Sequence, residues 1–173
     1  MLTSILDLID TRSFASLWYW IAVAVSWSLA SHWVLGVPWD MVMRARRGPP
    51  QAAQDLIALT GLSLRRLLGF GRRSGVGLTV GASCLATLLL VLGFGYGIEF
   101  AQALAFIVVP QMVVAALSLH RAKRLEPVIE AGIAAADLIA ALARHRLLVR
   151  ATGVVSVTLT ALWGMAHLIR PYL

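Results

Sequence analysis

Four apolar stretches, at 14–37, 77–96, 98–120 and 149–167, constrain this chain more than any other feature. Each is about 20 residues or more with few charges, and a helix rising ~1.5 Å per residue then covers the ~30 Å of a bilayer's hydrocarbon core. Hydrocarbon offers no hydrogen-bond partner to an exposed amide, so such runs are expected to be helices. The third is the least regular, with Glu99 at one end and Pro110 in the middle. With 60% apolar residues, 13% charged residues and a mean hydropathy of +0.82, the chain lies far from soluble proteins, in which about a quarter of residues are charged. Four spans leave no room for a separate globular unit. The expected fold is one all-α, polytopic membrane domain over 1–173.

The distribution of charge sets the expected topology. Of the 15 basic residues, seven fall within 44–73 and six within 121–150, leaving only Arg12 and Arg170 outside. Loops rich in Lys and Arg stay on the cytoplasmic side, so both blocks are expected inside and both termini outside. Arg44, Arg46, Arg47, Arg65, Arg66, Arg72, Arg73, Arg121, Lys123 and Arg124 are then expected to lie against anionic lipid headgroups. A net charge of +7 would suggest nucleic acid in a soluble protein. Here each basic cluster adjoins a span, and no nucleic-acid partner is expected. The N-terminal segment lacks basic residues before Arg12 and carries Asp7 and Asp10, which argues against a cleaved secretory signal.

Five of the six tryptophans crowd the first run: Trp18, Trp20, Trp27, Trp33 and Trp39. Amphipathic rings favour headgroup depth, so Trp18 at one end and Trp33 and Trp39 at the other read as anchors. Trp20 and Trp27 lie seven residues apart on one helical face, and Trp27 falls at mid-depth. These two are candidate contacts for a neighbouring helix, a pigment or a lipid.

Between the spans the periodicity changes. Over 51–70, Ala53, Leu56, Ile57, Leu64, Leu67 and Leu68 share one helical face, opposite Gln54, Asp55, Arg65 and Arg66, the pattern of an amphipathic cytoplasmic helix. The glycines of "GRRSGVG" are expected to end it before the second span. "GFGYGIEF" reads as a tight outer turn joining spans two and three. A second amphipathic cytoplasmic helix is expected over 126–146, with Pro127 in its first turn.

Two stripes of small residues suit close helix packing in lipid, where apolar surface supplies no drive for association. One is Gly77-x-x-x-Gly81; the other is Gly153, Ser156, Thr160 and Gly164, at spacings of 3, 4 and 4. Contact within the chain and contact with another subunit are both compatible with them. Glu99 reads as a headgroup-level carboxylate or as a candidate ion site. A haem held between helices needs two imidazoles at similar depth, and His32 and His120 match poorly. The stripe of Glu126, Glu130 and Asp137 has no histidine in metal-binding spacing. Cys84 is the only cysteine and lies within the second span, so it forms no internal disulfide and no multi-thiolate site.

The segment "DLIDTRSFASLWYWIAVAVSWSLASHWVLGVPWDMVMRARR", continued through "LGFGYGIEFAQA", resembles a small four-span inner-membrane family of Rhodobacter-type alphaproteobacteria. That resemblance implies a multi-pass protein of the bacterial inner membrane and a link to the Suf iron–sulphur assembly complex. A cluster scaffold needs several thiolates, and Cys84 stands alone, so no site residue is carried over. With no catalytic constellation and no resident cofactor expected, the leading reading is a non-enzymatic accessory, assembly or stabilising subunit of a larger membrane complex. Its expected partners are other membrane subunits, lipids and a second copy of itself. A small homo-oligomeric channel or transporter is the alternative, and a haem- or quinone-binding redox subunit the third.

Overall fold

In the computed structural model, which describes residues 13–169, the first apolar run is not one helix. A 3-10 turn at Ser13–Ala15 leads into α1, Leu17–His32, only 16 residues long. The chain then doubles back: β1, Trp33–Val34, pairs antiparallel with β2, Val37–Pro38. Leu35 (φ 52°) and Gly36 (φ 80°) both take left-handed backbone, as the two-residue turns that match strand twist require. That conformation costs a leucine free energy, which Leu35 offsets by burial in the core. Gly36 sits against Ser63, whose hydroxyl faces the Gly36 carbonyl at 3.4 Å. The single span expected over 14–37 is thereby corrected to a short helix followed by a β-hairpin.

The remaining elements are α2, Trp39–Arg47; α3, Pro50–Leu90, which ends in a π-helical turn at Val91–Gly95; α4, Glu99–Glu130; and α5, Ala135–Ile169. Three helical stretches, Pro50–Gly95, Glu99–Glu130 and Ala135–His167, are long and apolar enough to cross a membrane. The segment carrying Asp7, Asp10 and Arg12, and Arg170 at the other end, lie outside the described residues.

Two boundaries differ from expectation. "GRRSGVG" does not interrupt α3, which runs for 41 residues, about 60 Å and twice the hydrocarbon thickness. Each glycine costs the helix only ~1 kcal/mol, whereas an amide left unpaired at the edge of hydrocarbon costs several. The helix therefore persists, and the amphipathic segment at 51–70 is an extension of the second span. Nor does Pro127 begin a helix. It lies in the last turn of α4, held there because Ala122 and Leu125 just before it are buried. The stop comes at Gly132 (φ 89°), whose amide bonds to the Ile129 carbonyl. The helix expected over 126–146 is thus split between the end of α4 and the start of α5.

The largest buried cluster lies at the arginine-rich end and not along the apolar runs. Val34, Leu35 and Val37 of the hairpin, Val42 of α2, Leu56, Leu64 and Leu68 of α3, Ala122 and Leu125 of α4, and Leu138, Ala141 and Leu142 of α5 form it. Within the most apolar window of α3, by contrast, only 6% is buried, against 28% for α4 and α5. Water drives burial of apolar surface; hydrocarbon does not. Leu64→Ala is expected to lower the unfolding free energy by about 2–5 kcal/mol. Val80→Ala, on the open face of α3, is expected to change it by less than about 0.5 kcal/mol. Thermal unfolding of the two variants followed by circular dichroism checks this.

Candidate functional site

The polar groups of the apolar segments converge on the seam where α1, α4 and α5 meet. Pro110 lies inside α4 without breaking it. Having no N–H, it leaves the carbonyl four residues earlier, that of Phe106, without its helical donor. Ser156 of α5 donates its hydroxyl to that carbonyl at 3.1 Å. The serine of the small-residue stripe is therefore a hydrogen-bond donor matched to one proline on the facing helix.

Gln102 does similar work near the Glu99 end. It is only 4% exposed. Its amide nitrogen donates to the Gly93 carbonyl at 2.7 Å, and its amide oxygen accepts from the Trp163 indole at 3.0 Å. A β-carbon at Gly93 would stand 2.9 Å from the Gln102 backbone nitrogen, so the close approach of the π-helical turn to α4 requires glycine. Phe94 and Phe106 pack around Trp163 with centroids at 5.3 and 6.1 Å.

Both ends of α1 are fastened by charged side chains from other helices. At one end the Phe14 amide donates to Glu99 Oε1 at 3.1 Å, while Glu99 Oε2 lies 3.9 Å from His167 Nε2. The Trp20 indole donates to the Phe14 carbonyl at 3.0 Å, and the Tyr19 hydroxyl to the Ala103 carbonyl at 3.3 Å. At the other end Arg146 Nε donates to the Ser31 carbonyl at 3.0 Å, one of the last-turn carbonyls that lack an intrahelical partner. The same guanidinium stacks 4.0 Å above the Trp39 ring.

Next to Arg146, His145 is 2% exposed. Ser118 spends its one hydroxyl proton on the Val114 carbonyl at 2.8 Å and lies 3.1 Å from His145 Nε2. Nδ1 on the other side of the ring is buried with no hydrogen-bond partner among the described residues.

The residues singled out from sequence separate into three groups. Trp20, Trp27, Gly153, Ser156, Thr160 and Gly164 come together on the seam. A β-carbon at Gly153 would meet the Trp27 ring at 2.8 Å, and one at Gly164 would meet Phe14 at 3.1 Å, so both glycines seat aromatic rings of the N-terminal segment. Gly77 and Gly81 behave differently, with nothing among the described residues within 4 Å of a β-carbon at either. The tryptophans and basic residues named as anchors form the third group. Trp18 and Trp33 are exposed, and Trp39 is engaged with Arg146. Arg44, Arg46 and Arg47 end α2, while Arg65, Arg66, Arg72 and Arg73 follow one another along α3. Arg121, Lys123 and Arg124 lie near the end of α4. Arg72 approaches Glu126 at 3.7 Å. Among the described residues, no three His, Cys, Asp or Glu side chains are grouped to hold a metal ion.

Sequence reasoning passed over Gln102, Ser118, His145 and Trp163. Gln102 carried a signal, being a lone amide in the apolar "FAQALAF". His145 was hidden inside "RHR", where it read as part of a basic surface.

These elements define a helical protein with three helices able to cross a membrane and a polar seam between its α1, α4 and α5 helices. Comparison with protein-family models, with curated proteins and with solved structures finds no match to this chain.

Ser156→Ala is expected to destabilise the protein by about 1 kcal/mol through the Phe106 carbonyl. In a Pro110→Ala background, where an amide supplies that carbonyl, the same substitution should cost almost nothing. A double-mutant cycle on thermal unfolding measures the difference.

Proposed function

We propose that this chain is a non-enzymatic accessory, assembly or stabilising subunit of a larger bacterial inner-membrane complex. It would cross the membrane four times, with its arginine-rich end in the cytoplasm and both termini outside. The observation that carries the reading is the unequal use of the two small-residue stripes. Gly153, Ser156, Thr160 and Gly164 are consumed by contacts within the chain. Gly77 and Gly81 line an open groove of about 680 Å³ that also takes in Arg73 and Met112. Small residues allow close backbone approach, and none of the described residues makes that approach here. A helix of a partner subunit fits the surface.

The fourth span is α1. It covers only about 24 Å at ~1.5 Å per residue, yet Glu99 and Arg146 fasten its two ends. Arg146 adjoins His145, which meets Ser118. With the turn at Ser13–Ala15, whose Phe14 amide meets Glu99, the segment reaches from the level of Glu99 to about that of Ser118, a depth of ~28 Å along α4, close to the ~30 Å of hydrocarbon. The cytoplasmic placement of the basic end follows the positive-inside rule.

The experiment is purification of the tagged chain at native abundance in mild detergent, with mass spectrometry of what accompanies it. Wild type is expected to bring other membrane proteins with it. Gly81→Leu, which fills the open groove, should lose them while keeping its thermal midpoint, whereas Gly153→Leu should lower that midpoint by driving Trp27 off its seat. Recovery of the wild-type chain only as a free monomer contradicts the proposal.

A further inference from the structure

Where the charged segments of α3 and α4 give way to apolar ones, residues of both helices line a second groove of about 530 Å³. Its size is that of a small-molecule site. One end is charged, with Arg72 from α3 and Lys123 and Glu126 from α4; the other is apolar, with Val76, Leu78 and Leu119 among its walls. We infer that this groove binds one anionic phospholipid, its phosphodiester held by Arg72 and Lys123 and its upper acyl chains lying along the apolar wall.

Charge supports an anion. Two cations and one carboxylate leave the lining with a formal charge of +1, the complement of a single phosphodiester. Glu126 does not consume Arg72: their separation is 3.7 Å, the arginine is 69% exposed, and a guanidinium has five N–H donors to share. The adjoining groove on the same two helices shows the contrast. It sets Arg65 against both Glu126 and Glu130, a formal charge of −1, and would repel a phosphate.

Position supports a lipid over a soluble anion. Arg72 and Arg73 are the last charged residues before the apolar stretch of α3, and Lys123 is among the first charged residues beyond the apolar stretch of α4. Basic pockets between helices at this depth bind lipid headgroups. The groove also stays open downward into the apolar zone. A β-carbon at Gly75 would meet nothing within 4 Å, and one at Gly71 would only touch Leu119 at 3.4 Å. Thr79 spends its hydroxyl on the Gly75 carbonyl at 2.8 Å, so the wall beside it is left apolar. The inference concerns this chain's own surface and holds whether or not it joins a complex.

The test uses the full chain in nanodiscs of phosphatidylcholine containing a minor fraction of phosphatidylglycerol, followed by release into detergent and native mass spectrometry. Wild type is expected to retain one phosphatidylglycerol, favoured over phosphatidylcholine by roughly tenfold or more. Gly75→Leu, whose β-carbon has nothing within 4 Å among the described residues, puts a side chain into the groove, removes a helix-weakening glycine and should abolish that retention. The pair Arg72→Gln with Lys123→Gln should abolish it by removing charge, with helicity unchanged. Equal retention of phosphatidylglycerol in both variants, or of phosphatidylcholine in wild type, overturns the proposal. Displacement of the lipid by excess inorganic phosphate alone would overturn it too, because the site would then be reading only a free anion.

Discussion

The carbonyl of Phe106 is where the limits on this fold are most visible. A proline at position 110 takes away its helical donor in the middle of an apolar helix, where water is absent and an unpaired carbonyl is costly. Ser156 supplies the missing donor, and that bond ties α4 to α5. The same seam sets Gln102 beside Trp163 and the small residues of α5 against the aromatic rings of the N-terminal segment. The same rule keeps α3 helical through its glycines, and it makes Gln102 answer the Gly93 carbonyl where the π-helical turn approaches α4.

Two physical regimes divide the molecule. Where the helices are apolar on all sides, stability comes from close approach and a few polar bonds, and much of α3 stays uncovered. At the arginine-rich end, charged and apolar faces alternate, and the leucines and valines are buried against one another. One continuous helix can serve both regimes because its pattern changes partway along, as α3 does near Arg73. The hairpin at Leu35 and Gly36 belongs to the second regime and closes that core from the side of α1.

Much of this was legible in the sequence. The apolar runs announced helices, and "GFGYGIEF" announced the turn between α3 and α4, with Gly97 at φ 74°. The stripe from Gly153 to Gly164 announced a packing face. Helix ends were less legible. Glycines near Arg72 and Pro127 looked like boundaries because local propensity argues that way, at about 1 kcal/mol for each glycine. Paired amides and packed neighbours outweigh that amount. The reversal after α1 was written in Leu35-Gly36 and Pro38, but an uninterrupted apolar run masked it. The bond between Ser156 and Phe106 joins residues 50 apart, and no local pattern predicts which serine answers which proline. The contrast between the two stripes was likewise beyond sequence, because Gly77 and Gly153 differ only in what approaches them.

The open face of α3 is the surface proposed to meet a partner, and the chain carries its own reporter there. Cys84 is the only cysteine, is exposed, and follows Gly77 and Gly81 at helical spacing. The direct measurement is cross-linking from Cys84 in native membranes with a short thiol-reactive photoprobe, followed by identification of the adducts. Adducts to a helix of a different membrane protein are expected, and they should be lost in Gly81→Leu. Adducts to lipid alone, or only to a second copy of this chain, would contradict it.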